Sequence, residues 1–200
     1  SVVPAPRTLL RGVRKLPPAT IAIFEPDGRR TDEVFWEPVF RRTAEDVDRS
    51  QDEWQTLVLD ALERAVERRM VADVPVGVLL SGGVDSSLIV GLLARKKQSG
   101  LKTFSIGFES VGGEEGDEFR YSDAVARRFG TDHHKIRVDS GRLIDSIPAV
   151  VNAMSEPMVS HDNVGFFLLS EEVSKHVKVV QSGQGADEVF GGYHWYPPLA

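Results

Sequence analysis

Two glycines and an acid, set between an apolar run and a helical one, offer the first chemistry in this chain: Val76, Gly77, Val78, Leu79, Leu80, Ser81, Gly82, Gly83, Val84, Asp85, Ser86, Ser87. Val78, Leu79 and Leu80 read as a buried strand, and Leu88, Ile89, Leu92 and Leu93 follow at helical spacing. The loop between them therefore lies at the carboxyl end of a strand and the amino end of a helix. There the unpaired N–H groups of the first helical turn favour an anion such as phosphate, and Gly82 and Gly83 let backbone approach it closely. Ser81, Ser86 and Ser87 add hydroxyl donors. Asp85 narrows the chemistry, because a carboxylate beside phosphate oxygens is repulsive unless a divalent cation, expected to be Mg²⁺, lies between them.

A second cluster repeats the arrangement. The apolar run Val177 to Val180 leads into Ser182, Gly183, Gln184, Gly185 and two adjacent acids, Asp187 and Glu188. With both clusters at strand ends, Asp85 and Asp187 can share one metal in a cleft over a parallel sheet. No lysine follows Gly83, so the first loop is not the one that cradles β and γ phosphates for transfer. Its spacing also differs from the dinucleotide-binding turn.

The elements that must position these loops alternate in type. Ser50 and Glu53 make a capping box ahead of a helix carrying Trp54, Leu57, Val58, Ala61, Leu62, Ala65, Val66 and Met70, ending near Val71. Lys102 to Gly107 reads as a strand, Ser122 to Phe129 as a helix and His133 to Val138 as a strand. A helix bent at Pro148 and another over Asn163 to His176 follow. This order predicts an α/β fold with a mostly parallel sheet flanked by helices on both faces. Ahead of it, strands at Thr20 to Phe24 and Thr31 to Trp36 flank Pro26-Asp27-Gly28 and predict a β-hairpin.

The first loop resembles the pyrophosphate loop of the ATP pyrophosphatases, and the two clusters together resemble the glutamine-dependent asparagine synthetase family. Thr103-Phe104-Ser105-Ile106-Gly107-Phe108 and Thr131-Asp132-His133-His134 stand at the matching places between them. The resemblance implies the ATP-pyrophosphatase (adenine nucleotide alpha hydrolase-like) fold. It also implies a reaction in which ATP adenylates a side-chain carboxylate and ammonia, released from glutamine in a separate N-terminal domain, displaces AMP. By that resemblance Ser81, Gly82, Gly83, Asp85 and Ser86 hold pyrophosphate, and Leu79 and Ile106 line the adenine pocket. Ser182 and Gly183 face the nucleotide, Asp187 joins Asp85 on Mg²⁺, and Glu188 lies near the acceptor.

Gln184 departs from the family, which carries a glutamate between these two glycines, understood to act at the acyl-adenylate step. An amide can hydrogen-bond but cannot take a proton at neutral pH. Gln184, with the extension Phe190 to Pro198, resembles the branch that amidates N-acetylglutaminylglutamine, so the acceptor expected is either aspartate or a peptide-like carboxylate. Gln184 and Glu188 are the catalytic candidates. An alternative of another class is a nucleotide-binding domain without turnover. Argininosuccinate or NAD synthesis within the same ATP class is disfavoured by the Ser182 to Tyr193 cluster.

The resemblance divides the chain at about residue 40. Residues 1–40 resemble the end of a glutaminase domain and its linker, and 41–200 the N-terminal part of the synthetase domain. The glutaminase of the family uses a cysteine nucleophile, and this chain has no cysteine, so the 200 residues alone are expected to be inactive. The partners expected are the carboxylate acceptor, glutamine-derived ammonia and the rest of the same polypeptide on either side. A homodimer is compatible with the sequence.

Composition removes other partners. Acids outnumber bases 30 to 24, the net charge is −6, and the basic residues form no stripe, which argues against nucleic acid. No apolar run approaches the ~20 residues of a membrane span and no signal peptide is read, so the expected setting is cytoplasmic. Several other residues are assigned blander roles. His133 and His134 fall on opposite faces of a strand and are read as structural. Glu114, Glu115, Asp117 and Glu118 are read as a solvated loop. Met154 to Met158 is read as a turn, from which Glu156 or Asp162 could reach the cleft, and His161 and His194 are left out of the site.

Overall fold

The computed structural model describes residues 3–96, 100–108, 119–156, 158, 160 and 162–196. The acidic run at 114–118, together with Pro157, His161, Pro197 and Pro198, lies outside them. Strands β1 (Thr20–Phe24) and β2 (Arg30–Val34) pair antiparallel around Gly28, with Thr20 opposite Val34 and Phe24 opposite Arg30. The turn needs Gly28 because φ is +85° there. Phe24, Phe35, Trp36 and Phe40 stand exposed on or beside this hairpin.

After the short helix α1 (Ala44–Val47) comes α2 (Gln51–Arg69). Its capping box forms as the sequence predicts: Ser50 Oγ accepts from the Glu53 N–H, and Glu53 accepts from the Ser50 N–H at 2.7 Å. At the other end the Met70 N–H turns to the Glu67 carbonyl, which would leave the Val66 carbonyl without a donor. Gln181, buried and 115 residues away in sequence, fills that place, its Nε2 donating to Val66 O at 3.1 Å. Replacing Gln181 with methionine strips the cap from a buried carbonyl at a cost of about 1–3 kcal/mol. At this chain size that is expected to lower Tm by several degrees, roughly 2–4 °C per kcal/mol. A melting curve measures it, and an unchanged Tm would mean that the carbonyl finds another donor.

The remaining elements build the sheet: β3 (Val76–Leu79), α3 (Val84–Arg95), β4 (Lys102–Phe108), α4 (Phe119–Phe129), β5 (Asp132–Val138), α5 (Ser140–Asp145), α6 (Ile147–Ala153), α7 (Asp162–Val173), β6 (Val179–Gln181) and α8 (Ala186–Phe190). The strand order is β5-β4-β3-β6 and every pairing is parallel. The chain runs outward from β3 to β4 and β5, then returns to the other side of β3 to place β6. That reversal makes a topological switch point between β3 and β6, where the loops leaving the two strands diverge and open a crevice.

Period-two alternation in the strands feeds two apolar layers. Val78 and Leu80 point to one face and pack with Val66, Val90, Leu93 and Ala126 from α2, α3 and α4. Phe104 points to the other, against Leu169, Val173 and Val177, with Leu79 and Ile106 at the margin. The expected α/β chain with a parallel sheet covered on both faces is what the structure shows.

Several boundaries differ from the sequence reading: β2 ends at Val34 and not at Trp36, α4 begins at Phe119 and not at Ser122, and three further differences have a physical reason. The bend assigned to Pro148 falls at Ser146, which ends α5 and starts α6, because proline is tolerated in a first helical turn and interrupts only what precedes it. Helix α7 stops at Val173, and its last turn carries Val177 into the core through a bond from the Val177 N–H to the Val173 carbonyl. The following strand therefore begins at Val179 and not at Val177. His133 and His134 do lie on opposite faces: His133 Nδ1 is 2.9 Å from Thr103 Oγ1, and His134 stacks on Phe104 with centroids 5.1 Å apart. Burial lowers the His133 pKa from its ordinary value and favours the neutral ring.

Candidate active site

The first loop is held from both ends. The Leu80 N–H donates to Phe104 O at 2.8 Å, and Ser105 Oγ donates back to the Leu80 carbonyl, so the strand stays paired up to the residue before Ser81. Ser81 Oγ lies 3.0 Å from Ser86 Oγ and accepts from the Gly83 N–H at 3.2 Å, closing the loop on itself. Gly83 caps helix α3, and no side chain accepts from the N–H groups of Val84, Asp85 and Ser86, which leaves them for an anion. Gly82 has φ +89°, and a Cβ there would lie 2.5 Å from Tyr121 Cβ and 2.6 Å from Ser122 N, so this glycine lets the loop press against α4.

The second loop meets the first directly. A Cβ on Gly183 would lie 3.0 Å from Asp85 Cβ and 3.2 Å from Ser86 N. Gly185, at φ +94°, turns the chain into the short α8 that carries Asp187 and Glu188. The Gly192 N–H donates to the Asp187 carbonyl at 3.0 Å, and a Cβ on Gly192 would fall 2.0 Å from Asp187 Oδ1. Tyr193 OH donates to Glu188 Oε1 at 2.8 Å. That bond to a carboxylate pushes the phenol up to about 12, with the remaining burial adding to it.

A cavity of about 810 Å³ opens at the switch point. Leu79, Ser81, Gly83, Asp85, Ser86, Ile106, Ser182, Gly183, Gln184, Asp187 and Glu188 all line it, so one space gathers eleven of the twelve residues singled out from sequence. Gly82, which faces α4, is the exception among the twelve given a site role, and Ser87, read as a further hydroxyl donor, does not line the cavity either. Its lining combines the apolar Leu79, Ile106, Ile144, Ile147 and Phe166 with the carboxylates and the Tyr193 phenol. Asp162 lines it as well, while Glu156 turns away to an ion pair with Lys15 at 2.6 Å. Sequence reasoning missed Ile144, Ile147 and Phe166. They are apolar residues at helical spacing with no chemistry of their own, and only the return of α5, α6 and α7 over the sheet aims them here.

The donor set suits a hard cation shared with a polyphosphate. Among the described residues, neither the Asp85 nor the Asp187 carboxylate has a hydrogen-bonding or ionic partner. Among the described residues, no group of three or more acidic or imidazole side chains converges closely enough to hold an ion by itself. A cation here would take one or two carboxylates and complete its shell with phosphate oxygens and water, the usual habit of Mg²⁺. Among the described residues, no helix is long and apolar enough to cross a membrane.

Known proteins resemble this chain over nearly its whole length. The chain is 34% identical over 194 residues to asparagine synthetase [glutamine-hydrolyzing] 1 of Bacillus subtilis, covering 97% of this chain and 29% of that one. It is 37% identical over 200 residues to a putative asparagine synthetase [glutamine-hydrolyzing] of Mycobacterium tuberculosis, with the same coverages. A second such sequence, from Methanocaldococcus jannaschii, is 36% identical over 196 residues, covering 96% and 36%. The chain thus spans about a third of the length of these relatives. Among solved structures, the NH3-dependent NAD synthetase of Campylobacter jejuni superimposes with a TM-score of 0.45 at 15% identity, over 70% of this chain and 60% of that one. The asparagine synthase family model matches residues 57–200, a span that includes both loops and every strand of the parallel sheet, and the chain belongs to that family.

Proposed function

We propose that this chain is part of a longer polypeptide in which it forms the ATP-handling portion of an amide synthetase. The observation that carries the reading is the cavity at the β3–β6 switch point, whose lining brings the apolar Leu79 and Ile106 together with Asp85 and Asp187. In this reading the adenine ring lies against Leu79 and Ile106. The phosphates lie over the Ser81–Ser86 loop and the first N–H groups of α3. A carboxylate oxygen of the acceptor attacks the α-phosphorus, the bond to the β-phosphate breaks, and pyrophosphate leaves from the loop. Ammonia derived from glutamine then attacks the acyl carbon and AMP departs. Asp85 and Asp187 would hold Mg²⁺, which offsets the charge on the phosphates. The exposed Phe24, Phe35, Trp36 and Phe40 fit a hairpin that packs against an N-terminal glutaminase domain of the same polypeptide. A cytoplasmic setting, where ATP is available, goes with the reading.

Gln184 supports a peptide-like acceptor such as N-acetylglutaminylglutamine over aspartate. It lines the cavity beside Glu188, and its amide can exchange hydrogen bonds with an acceptor that brings amides of its own. The test is AMP formation by the full-length enzyme over a panel of carboxylates that includes both. Gln184→Glu is expected to depress turnover of the peptide-like acceptor about tenfold or more, because a second negative charge beside a bound carboxylate raises the energy of the complex. Equal or better turnover of aspartate by the unsubstituted enzyme would return the protein to ordinary asparagine synthesis. Gln184 also motivates a second reading, a nucleotide-binding domain without turnover, for which ATP raises Tm and no carboxylate releases AMP.

A further inference from the structure

Beyond the cavity wall, residues 193–196 stack into an aromatic ladder on the surface. Trp195 lies on Tyr193 with ring centroids 4.3 Å apart and an interplanar angle of 11°. Tyr196 tilts against Tyr193 at 5.6 Å, and His194 meets the indole edge-on at 4.8 Å. Trp195 remains 48% exposed and does not line the cavity, whereas Tyr193 does. The ladder is tied to the site from beneath, since Gly191 turns at φ +69° and Gly192 is pressed on Asp187. A phenol on such a short surface turn would otherwise exchange between Glu188 and water. An offset aromatic stack is worth a few-fold to about tenfold in holding one arrangement.

We propose that Trp195 is a positioning residue for the acceptor half of the cavity: stacked on Tyr193, it keeps the phenol hydroxyl on Glu188 Oε1 and so presents Oε2 to an N–H group of the acceptor. An ionised carboxylate only accepts hydrogen bonds, so the molecule it recognises must bring a donor, and an amide or ammonium N–H near the carboxylate to be activated supplies one. With Oε1 engaged by Tyr193, one oxygen is left in a fixed direction. The inference rests on the ATP-dependent reading above for the identity of the bound molecule, but the Trp195–Tyr193–Glu188 chain is a matter of geometry. The Tyr193–Glu188 hydrogen bond is the main cause of the raised Tyr193 pKa, so that pKa reports whether the bond is kept.

The experiment compares the full-length enzyme with its Trp195→Ala and Trp195→Phe variants. Trp195→Ala is expected to raise KM for the acceptor about 3–10-fold, with KM for ATP and kcat within about twofold, and Trp195→Phe is expected to restore it. An equal rise in both KM values, or none, overturns the assignment. A second readout needs no turnover. With tyrosine labelled with carbon-13 at Cζ and the Tyr193 signal assigned by its loss in Tyr193→Phe, Tyr193 should titrate well above the ordinary tyrosine range in the unsubstituted enzyme and nearer to it in Trp195→Ala. An unchanged Tyr193 titration overturns the positioning role. If the unsubstituted enzyme forms no AMP with any acceptor, the reading of function fails by that result, and the tyrosine titration decides on Trp195 alone.

Discussion

Asparagine at position 85 or 187 is expected to reduce AMP formation by the full-length enzyme more than about 100-fold while leaving Tm unchanged. Each substitution keeps the shape of the side chain and removes one hard anionic oxygen donor. Partners that merely orient a metal ligand are commonly worth 10–100-fold, so a ligand itself should exceed that. Neither carboxylate has a structural partner to lose among the described residues. The fold should therefore be indifferent, and a loss of activity reports on the site. Pyrophosphate release across a range of Mg²⁺ concentrations, read beside a melting curve, makes the measurement. Activity retained in either variant at ordinary Mg²⁺ removes that residue from the cation site.

Gly82→Ala is expected to have the largest effect on stability. A residue with a Cβ is strained by about 1–2 kcal/mol in the left-handed region that Gly82 occupies. The new methyl would also lie 2.6 Å from Ser122 N, a backbone atom that cannot swing aside. Overpacking of this kind adds about 1–3 kcal/mol. Together these predict a fall in Tm on the order of 10 °C at this chain size. Because the loop would have to lift off α4, the affinity for ATP should fall as well. A melting curve with and without ATP separates the two effects, and a Tm within about 2 °C of the parent would show that the loop has room to move.

Much of this was legible in the sequence because chemistry and conformation coincide at the same residues. Ser81 to Ser87 carries glycines, hydroxyls and an acid where a strand becomes a helix, so a single stretch announces both the turn and its ligand. The Ser50–Glu53 capping box was equally local, and both of its hydrogen bonds are present. The same loop assigns Gly82 to phosphate binding, and the structure adds a second demand on it, a left-handed turn pressed against Tyr121. A glycine needed for close packing cannot be told from one needed for close approach of a ligand until the neighbouring helix is known. The break at Ser146 escaped because Pro148 is the louder signal, and it sits where a new helix tolerates it. Gln181 escaped altogether. Nothing in its neighbours says that its amide closes the end of a helix 115 residues earlier, since that bond depends on strand order and not on spacing.

That last contact bears on the order in which the molecule assembles. β6 is three residues long and pairs with β3 only through Val179, Val180 and Gln181, so the second wall of the cavity arrives by one of the least local pairings in the chain. Such closures are slow because the intervening chain must be ordered before they are rewarded. A chain that had formed β3, its loop and α3 without this pairing would lack the Asp187 wall. ATP that bridges both loops would then recognise only the completed sheet, and at 100 times its Kd it would add about 2.7 kcal/mol to the folded state. If the β3–β6 pairing forms after the folding transition state, that added stability appears as slower unfolding and not as faster folding. The nucleotide would act as a clasp on the finished molecule.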